Sequence, residues 1–179
     1  MLPDGATASA SSIESASTTE GGLHEWGFGE DERNRELLAE AVNSVGAFIV
    51  GRRTHDDSLP WWGADGPHPP TRVFVVTHEA PDAVPEGSVY TFVTDGIENA
   101  LELAKAAARE KDVAVTGAEI GRQYIEAGLI DEISVHLVPV LFGSGIRMFE
   151  HLGGEQVQLE TTSVIETPAA IHLRFRVVR

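Results

Sequence analysis

Apolar positions along this chain recur with two periods, and the switches between them mark out the elements. From Asp31 to Ser44 the spacing is helical: Leu37, Leu38, Ala41, Val42 and Val45 fall on one face, with acids opposite. Asp31 and Glu32 suit the electropositive start of that helix. Ala47–Val50 is an unbroken apolar run of strand length that ends at Gly51. Val73–Val76, Val89–Val93 and Asp112–Thr116 predict three more strands. Thr94-Asp95-Gly96 starts a helix whose buried stripe is Ile97, Ala100, Leu101, Ala104 and Ala108. Gly117-Ala118-Glu119 leads into another, with Ile120, Tyr124 and Ile125 inward and Gly128 as its stop. Ile133–Leu141 predicts a long strand. Val157–Glu166 and Ile171–Val178 alternate, and Thr167-Pro168-Ala169 joins them as a hairpin. Residues 55–70 hold Trp61, Trp62, Pro60, Pro67, Pro69 and Pro70, which predicts a loop.

Strands and helices therefore alternate through most of the chain. That predicts an α/β fold: a mixed, mostly parallel sheet with helices on both faces and a C-terminal antiparallel hairpin. Residues 1–22 are mostly Ala, Ser, Thr, Gly and Glu, and read as a flexible or loop-like N-terminal segment. Residues 23–179 read as a single domain.

Composition narrows the chemistry. No run of about 18 apolar residues offers a membrane span. There are no cysteines, which excludes disulfides, thiol catalysis and thiolate zinc sites. The N-terminus lacks the positive start and apolar stretch of a secretory signal, so a cytoplasmic protein is expected. Thirteen basic against 28 acidic residues give a net charge of −15. Such a field repels nucleic acid and anionic membrane, and neither is an expected partner.

On so acidic a chain, the adjacent Arg52 and Arg53 of Gly51-Arg52-Arg53-Thr54 need a reason. At a strand end, guanidinium forks, a hydroxyl and backbone N–H groups are the parts that hold a phosphate. The alternative is a solvated turn whose arginines pair with Asp56 and Asp57. A second candidate is Gly117, where a strand turns into a helix start and the helix dipole points at whatever sits there. An ordinary strand-to-helix turn would look the same. The third is Thr77-His78, at the end of its own strand. In open α/β sheets ligands collect outside the carboxyl ends of the parallel strands. Strands ending at Gly51, Thr77 and Gly117 could share one edge. The seven histidines show no metal-binding spacing, so no metal is expected. His136 alternates with Val135 and Leu137 and reads as structural. There is no G-x-G-x-x-G fingerprint and no G-x-S-x-G elbow.

Taken in order, Gly51-Arg-Arg-Thr54, Val76-Thr-His78, Thr116-Gly-Ala-Glu-Ile120, Gly128-Leu-Ile-Asp-Glu132 and Pro139-Val-Leu-Phe-Gly-Ser-Gly145 with Phe149 form a recognisable set. The chain resembles the dihydrofolate-reductase-like superfamily. Within it, the chain is similar to the C-terminal reductase domain of the bifunctional riboflavin-biosynthesis deaminase/reductase, the RibD C-terminal domain family. The similarity runs from about Leu23 to Arg179.

This resemblance implies an NADPH-dependent oxidoreductase of riboflavin biosynthesis, of the 5-amino-6-(5-phosphoribosylamino)uracil reductase type. It would deliver a hydride to a small pyrimidine- or pterin-like heterocycle, and by family analogy would be a homodimer. Gly51, Arg52, Arg53 and Thr54 would meet the cofactor's 2′-phosphate or nearby phosphates. Thr77 and His78 would flank its adenosine half. Gly117, Ala118, Glu119 and Ile120 would receive the pyrophosphate. Ala118 departs from the paired glycines often found there. Leu2-Pro3-Asp4-Gly5-Ala6-Thr7-Ala8 resembles the tail of the family's opening segment and makes Asp4 the catalytic candidate. The central strand that should precede it is missing. Either translation begins upstream, the strand is lost, or another part of the chain fills the gap. The alternative function is a non-catalytic nucleotide- or partner-binding module on the same scaffold.

Overall fold

The computed structural model describes residues 8–11, 25–84, 86–141, 149, 152 and 156–179. Asp4 and residues 143–148 of the glycine-rich loop lie outside them. The chain runs β1 (Ala8–Ser11), α1 (Glu25–Phe28), α2 (Glu32–Ser44), β2 (Val45–Gly51), α3 (Arg52–Trp62), β3 (Arg72–Val76) and β4 (Tyr90–Val93). It continues through α4 (Ile97–Ala108), β5 (Asp112–Thr116), α5 (Ala118–Glu126), β6 (Glu132–Leu137), β7 (Gln158–Glu166) and β8 (Ile171–Val178).

Among the described residues, eight strands make one sheet in the order β4-β3-β2-β5-β1-β6-β8-β7. Pairing is parallel from β4 across to β6, and antiparallel between β6 and β8 and between β8 and β7. This is the mixed sheet with a C-terminal hairpin that the periodicity predicts.

Alternation sorts side chains to two faces. Ala47 and Ile49 of β2, Phe74 of β3, Val93 of β4 and Val113 and Val115 of β5 pack under α4 and α5, against Leu101, Ala104, Ile120 and Tyr124. Val50, Val73, Val75 and Tyr90 point the other way and meet Trp62 of α3. Helices thus cover both faces, and the strands between them read as apolar runs. Tyr124 is fully buried, and its hydroxyl donates to the Ile97 carbonyl, tying α5 to the start of α4. Burial pushes that phenol's pKa up. Gly46 lets the C-terminal end of α4 approach β2, since a Cβ there would lie 2.7 Å from the Ala108 backbone.

Three expectations need correction. The segment after Gly51 is helix, where a turn and a loop are expected from Arg52 to Trp62. Paired charges four residues apart, Arg52 with Asp56 and Arg53 with Asp57, support it. Pro60 falls in its last turn, where one missing N–H removes one hydrogen bond. Trp61 on this helix is exposed, while Trp62 packs against the core. The strand expected over residues 133–141 ends at Leu137. Finally, the N-terminal segment expected to be flexible or loop-like contributes a strand: Ala8–Ser11 pairs with β5 on one side and β6 on the other, in the central place of the sheet.

Candidate functional site

Parallel pairing puts the C-terminal ends of β3, β2 and β5 side by side, with Gly51 opposite Val76 and Val50 opposite Thr116. The three sequence motifs therefore share one edge. α3 and α5 both begin there, and neither has a side-chain cap. The two helix starts touch. A Cβ built on Gly117 would lie 2.5 Å from Thr54 Oγ1, and one on Gly51 would lie 3.7 Å from Ile120 Cβ. Gly117 has φ +114, a backbone region closed to most side chains. Glycine is thus required twice over at this point, by backbone angle and by space.

The two arginines have separate jobs. Arg52 Nε donates to both carboxylate oxygens of Asp56 at 2.9 and 2.8 Å. Its Nη1 donates to the Glu79 carbonyl at 3.3 Å, and the guanidinium lies 6.0 Å from the Phe92 ring. Thr77 Oγ1 donates to that same carbonyl, so Thr77 and Arg52 brace one loop. Burial opposes the charge on Asp56, but hydrogen bonds from His55 and Arg52 outweigh it and hold the carboxyl below its usual range. His55 itself is buried edge-on against Tyr90 and Phe92. Arg53 is different: its side chain is 84% exposed and its pair with Asp57 is a long 3.6 Å. His78 is exposed and lies next to Thr77.

Both ion pairs of the solvated reading are therefore present, but on a helix and at the rim. The acid at the second helix start, Glu119, is engaged by Arg122 and Gln123. Among the described residues no cluster of His, Asp and Glu could hold a metal.

A second polar group lies at this same edge, across β1. It is built from Trp26 of α1, Asn34 of α2, His136 of β6 and His172 of β8. The His136 and His172 Nδ1 atoms are 2.8 Å apart, and His172 Nε2 is 2.9 Å from Asn34 Oδ1. Trp26 stacks on His136 at 4.3 Å and meets His172 edge-on at 4.9 Å. Burial pushes the His136 pKa down to about 4, helped by His172 and Arg174. His172 is also lowered, by burial first and then by Arg33, against the pull of Asp31. His136 is structural in the sense the alternation implied, but its partners are polar. The signal available in the sequence was the strand pairing itself, which sets His136 directly opposite His172. Nothing local marks Asn34.

Comparison with known proteins agrees with this architecture. No curated protein matches the chain by sequence. A protein of riboflavin biosynthesis from Shewanella sp. PV-4 superposes with a TM-score of 0.73 at 18% identity, over 97% of this chain and 100% of its own. The deaminase/5-amino-6-(5-phosphoribosylamino)uracil reductase of Thermotoga maritima gives 0.64 at 14% identity, over 97% of this chain and 57% of its own. Dihydrofolate reductase from Enterococcus faecalis, in complex with NADP(H), gives 0.53 at 17% identity, over 97% of each chain. These likenesses show a dihydrofolate-reductase-like fold. The RibD C-terminal domain model matches residues 5–173, a span that takes in β1 and both polar groups of the edge, and the chain belongs to that family of reductases.

Proposed function

We propose that this chain is an NADPH-dependent reductase acting on a small pyrimidine- or pterin-like heterocycle, of the 5-amino-6-(5-phosphoribosylamino)uracil reductase type. The observation that carries the reading is the contact between the starts of α3 and α5 at Gly117 and Thr54. Two helix starts side by side form a compact electropositive cradle on a molecule of net charge −15. The missing side chain of Gly117 makes room for Thr54, and that is what lets the two helix starts come together. The parts fit a dinucleotide carrying three phosphoryl groups.

In this reading the pyrophosphate lies at Gly117, Ala118, Glu119 and Ile120. Arg53, exposed and loosely paired, turns from Asp57 to the 2′-phosphate. Arg52 and Thr77 brace the loop against which the adenosine half lies, with Gly51, Thr54 and His78 beside it. NADPH bound there supplies the hydride. The chain's own task is to bind, orient and desolvate. The protein works in the cytoplasm as a homodimer. In support, Leu137, Leu159, Val164 and Ile171 are exposed around the hairpin, and no helix among the described residues is long and apolar enough to cross a membrane.

Titration with NADPH and with NADH, followed by reduced-nicotinamide fluorescence, tests the reading. NADPH binds more tightly, and Arg53→Ala weakens it by about tenfold while leaving NADH unchanged. That is the lower end for a charge-assisted hydrogen bond, as suits a solvent-exposed group. Equal affinities in the unmodified protein would overturn it.

A further inference from the structure

The contact between His136 and His172 admits one hydrogen. Their Nδ1 atoms are 2.8 Å apart, a distance at which one ring donates and the other accepts. His172 is fixed at its other end too, with Nε2 2.9 Å from Asn34 Oδ1. An added proton then has two places to go. On the accepting Nδ1 it forces two hydrogens into one gap. On His136 Nε2 it leaves a charge on a half-buried ring beside Arg174. Trp26, stacked on His136, offers such a charge a cation–π contact in return. Burial outweighs it and holds both rings below the ordinary histidine value.

The groups facing the pair tilt the same way. Arg174 of β8, itself paired with Glu132 of β6, and Arg33 of α2 oppose a positive charge, and Asp31 of α2 favours one. β1 brings only alanine and serine, and Trp26 of α1 is uncharged.

The closed cluster also carries a cost. Asn34 is fully buried, and its Nδ2 has no partner among the described residues. An unmet buried donor disfavours the closed form, and water reaching the amide would satisfy it.

The cover over these groups is slight. α1 has four residues, too few to stand as a helix alone. Its hold is Trp26, buried against both histidine rings, with Gly27 beside Leu38 of α2. Residues 29–31 join it to α2. The grip of α1 on the sheet therefore passes through rings that fit only when neutral.

We propose that α1 is a pH-sensitive latch: protonation of the His136–His172 pair releases Trp26 from the sheet and opens the Asn34 amide to water, while the sheet and the helices from α2 to α5 stay folded. Such local opening is a known output of histidine clusters in mild acid. The latch sits at the edge where α3 and α5 begin, so acid uncovers one side of that edge. The claim stands without the reductase reading.

The test labels the protein with 5-fluorotryptophan and follows Trp26, Trp61 and Trp62 by ¹⁹F NMR as pH falls from 6.5 to about 4. The Trp26 resonance moves to its solvent-exposed position, Trp62 keeps its folded position, and return to neutral pH restores both. Amide exchange rises in α1 and stays slow in α4 and β5. In the unmodified protein, the ring resonances of His136 and His172 titrate with the same midpoint as the Trp26 movement. His136→Phe keeps a ring under Trp26 and removes part of the response. His172→Leu removes part as well, and the two together remove it. A merely structural pair would let Trp26 and Trp62 change together, as the whole fold unfolds. That outcome, a Trp26 resonance that stays put across the interval, histidines that titrate without moving Trp26, or an unchanged release in the double variant would each overturn the proposal. The histidine and tryptophan midpoints need no substitution, so the test holds even where a variant fails to fold.

Discussion

The sheet has two halves hinged on β1, and they obtain polarity at the shared edge in opposite ways. In the parallel half, β4-β3-β2-β5, both faces are covered and the strands are apolar along most of their length. No side chain there can supply charge from within, so the polarity comes from backbone, at the starts of α3 and α5. In the antiparallel half, β6-β8-β7, side chains alternate. One face sends Glu132, His136, His172, Arg174 and Arg176 outward from the strands, and β7 is exposed along most of its length. Polarity there is a matter of named side chains. The first half depends on its packing and on the glycine that lets its two helix starts meet. The second is loosely packed but depends on individual groups.

The packing claim yields the largest effect. Ile49, wholly buried at the centre of β2 with strands on both sides and helices above, should cost about 4 kcal/mol on truncation to Ala. Leu159 on β7 is 41% exposed, and the same truncation should cost well under 1 kcal/mol in the monomer. Urea denaturation of both variants measures the contrast. Similar losses would mean that the hairpin is as well packed as the parallel half, and the comparison would fail.

How far the sequence foretold this division follows the same line. In the parallel half, periodicity located β2, β3, β5, α4 and α5, because apolar burial there is continuous and local. It failed at α3, where prolines and tryptophans suggested a loop. The helix is held by pairs four residues apart and by the buried His55, and a composition count weighs neither. β1 was illegible for a different reason. Ala8-Ser9-Ala10-Ser11 alternates only between small residues, too weak a signal to stand out in an Ala- and Ser-rich stretch, and its place comes from backbone pairing to neighbours on both sides. The phosphate-type motifs were readable because each is a short segment at a strand end. The His–Asn cluster was not, since its closing hydrogen bond joins residues 138 positions apart.

Acid should expose the reliance of the antiparallel half on uncharged rings. Burial holds His136 at about 4, against an ordinary value of 6.5. Between those values the unfolded chain binds a proton that the folded chain refuses. Stability is therefore intact above pH 6.5 and declines as pH falls toward 4. A shift of that size corresponds to roughly 3 kcal/mol at the acid end. His172 shifts in the same direction, and the charges facing the pair are Arg174, Arg33 and Asp31. Between pH 6.5 and 5 few ordinary carboxylates titrate, so denaturation midpoints in that interval isolate the histidines. His136→Phe keeps a ring for Trp26 and should flatten the slope. An unchanged slope in that variant would show that the rings are not what the acid reaches.

The smallest effect is expected on the same strand face, four residues along β8. Arg176 pairs with Glu160 of β7, as Arg174 pairs with Glu132 of β6, and all these groups have solvent beside them. Exposed pairs lose in hydration and side-chain freedom most of what they gain in attraction. Arg176→Gln should leave the urea midpoint within measurement scatter, and raising salt should do no more to the unmodified protein through this pair. His172, on the same face of the same strand, differs in lying under α1 and α2, where Trp26 and Asn34 close it off from water. A measurable loss at Arg176 would mean that charge in the hairpin matters where it is wet as well as where it is dry, and that coverage by α1 and α2 is not what sets the histidine cluster apart.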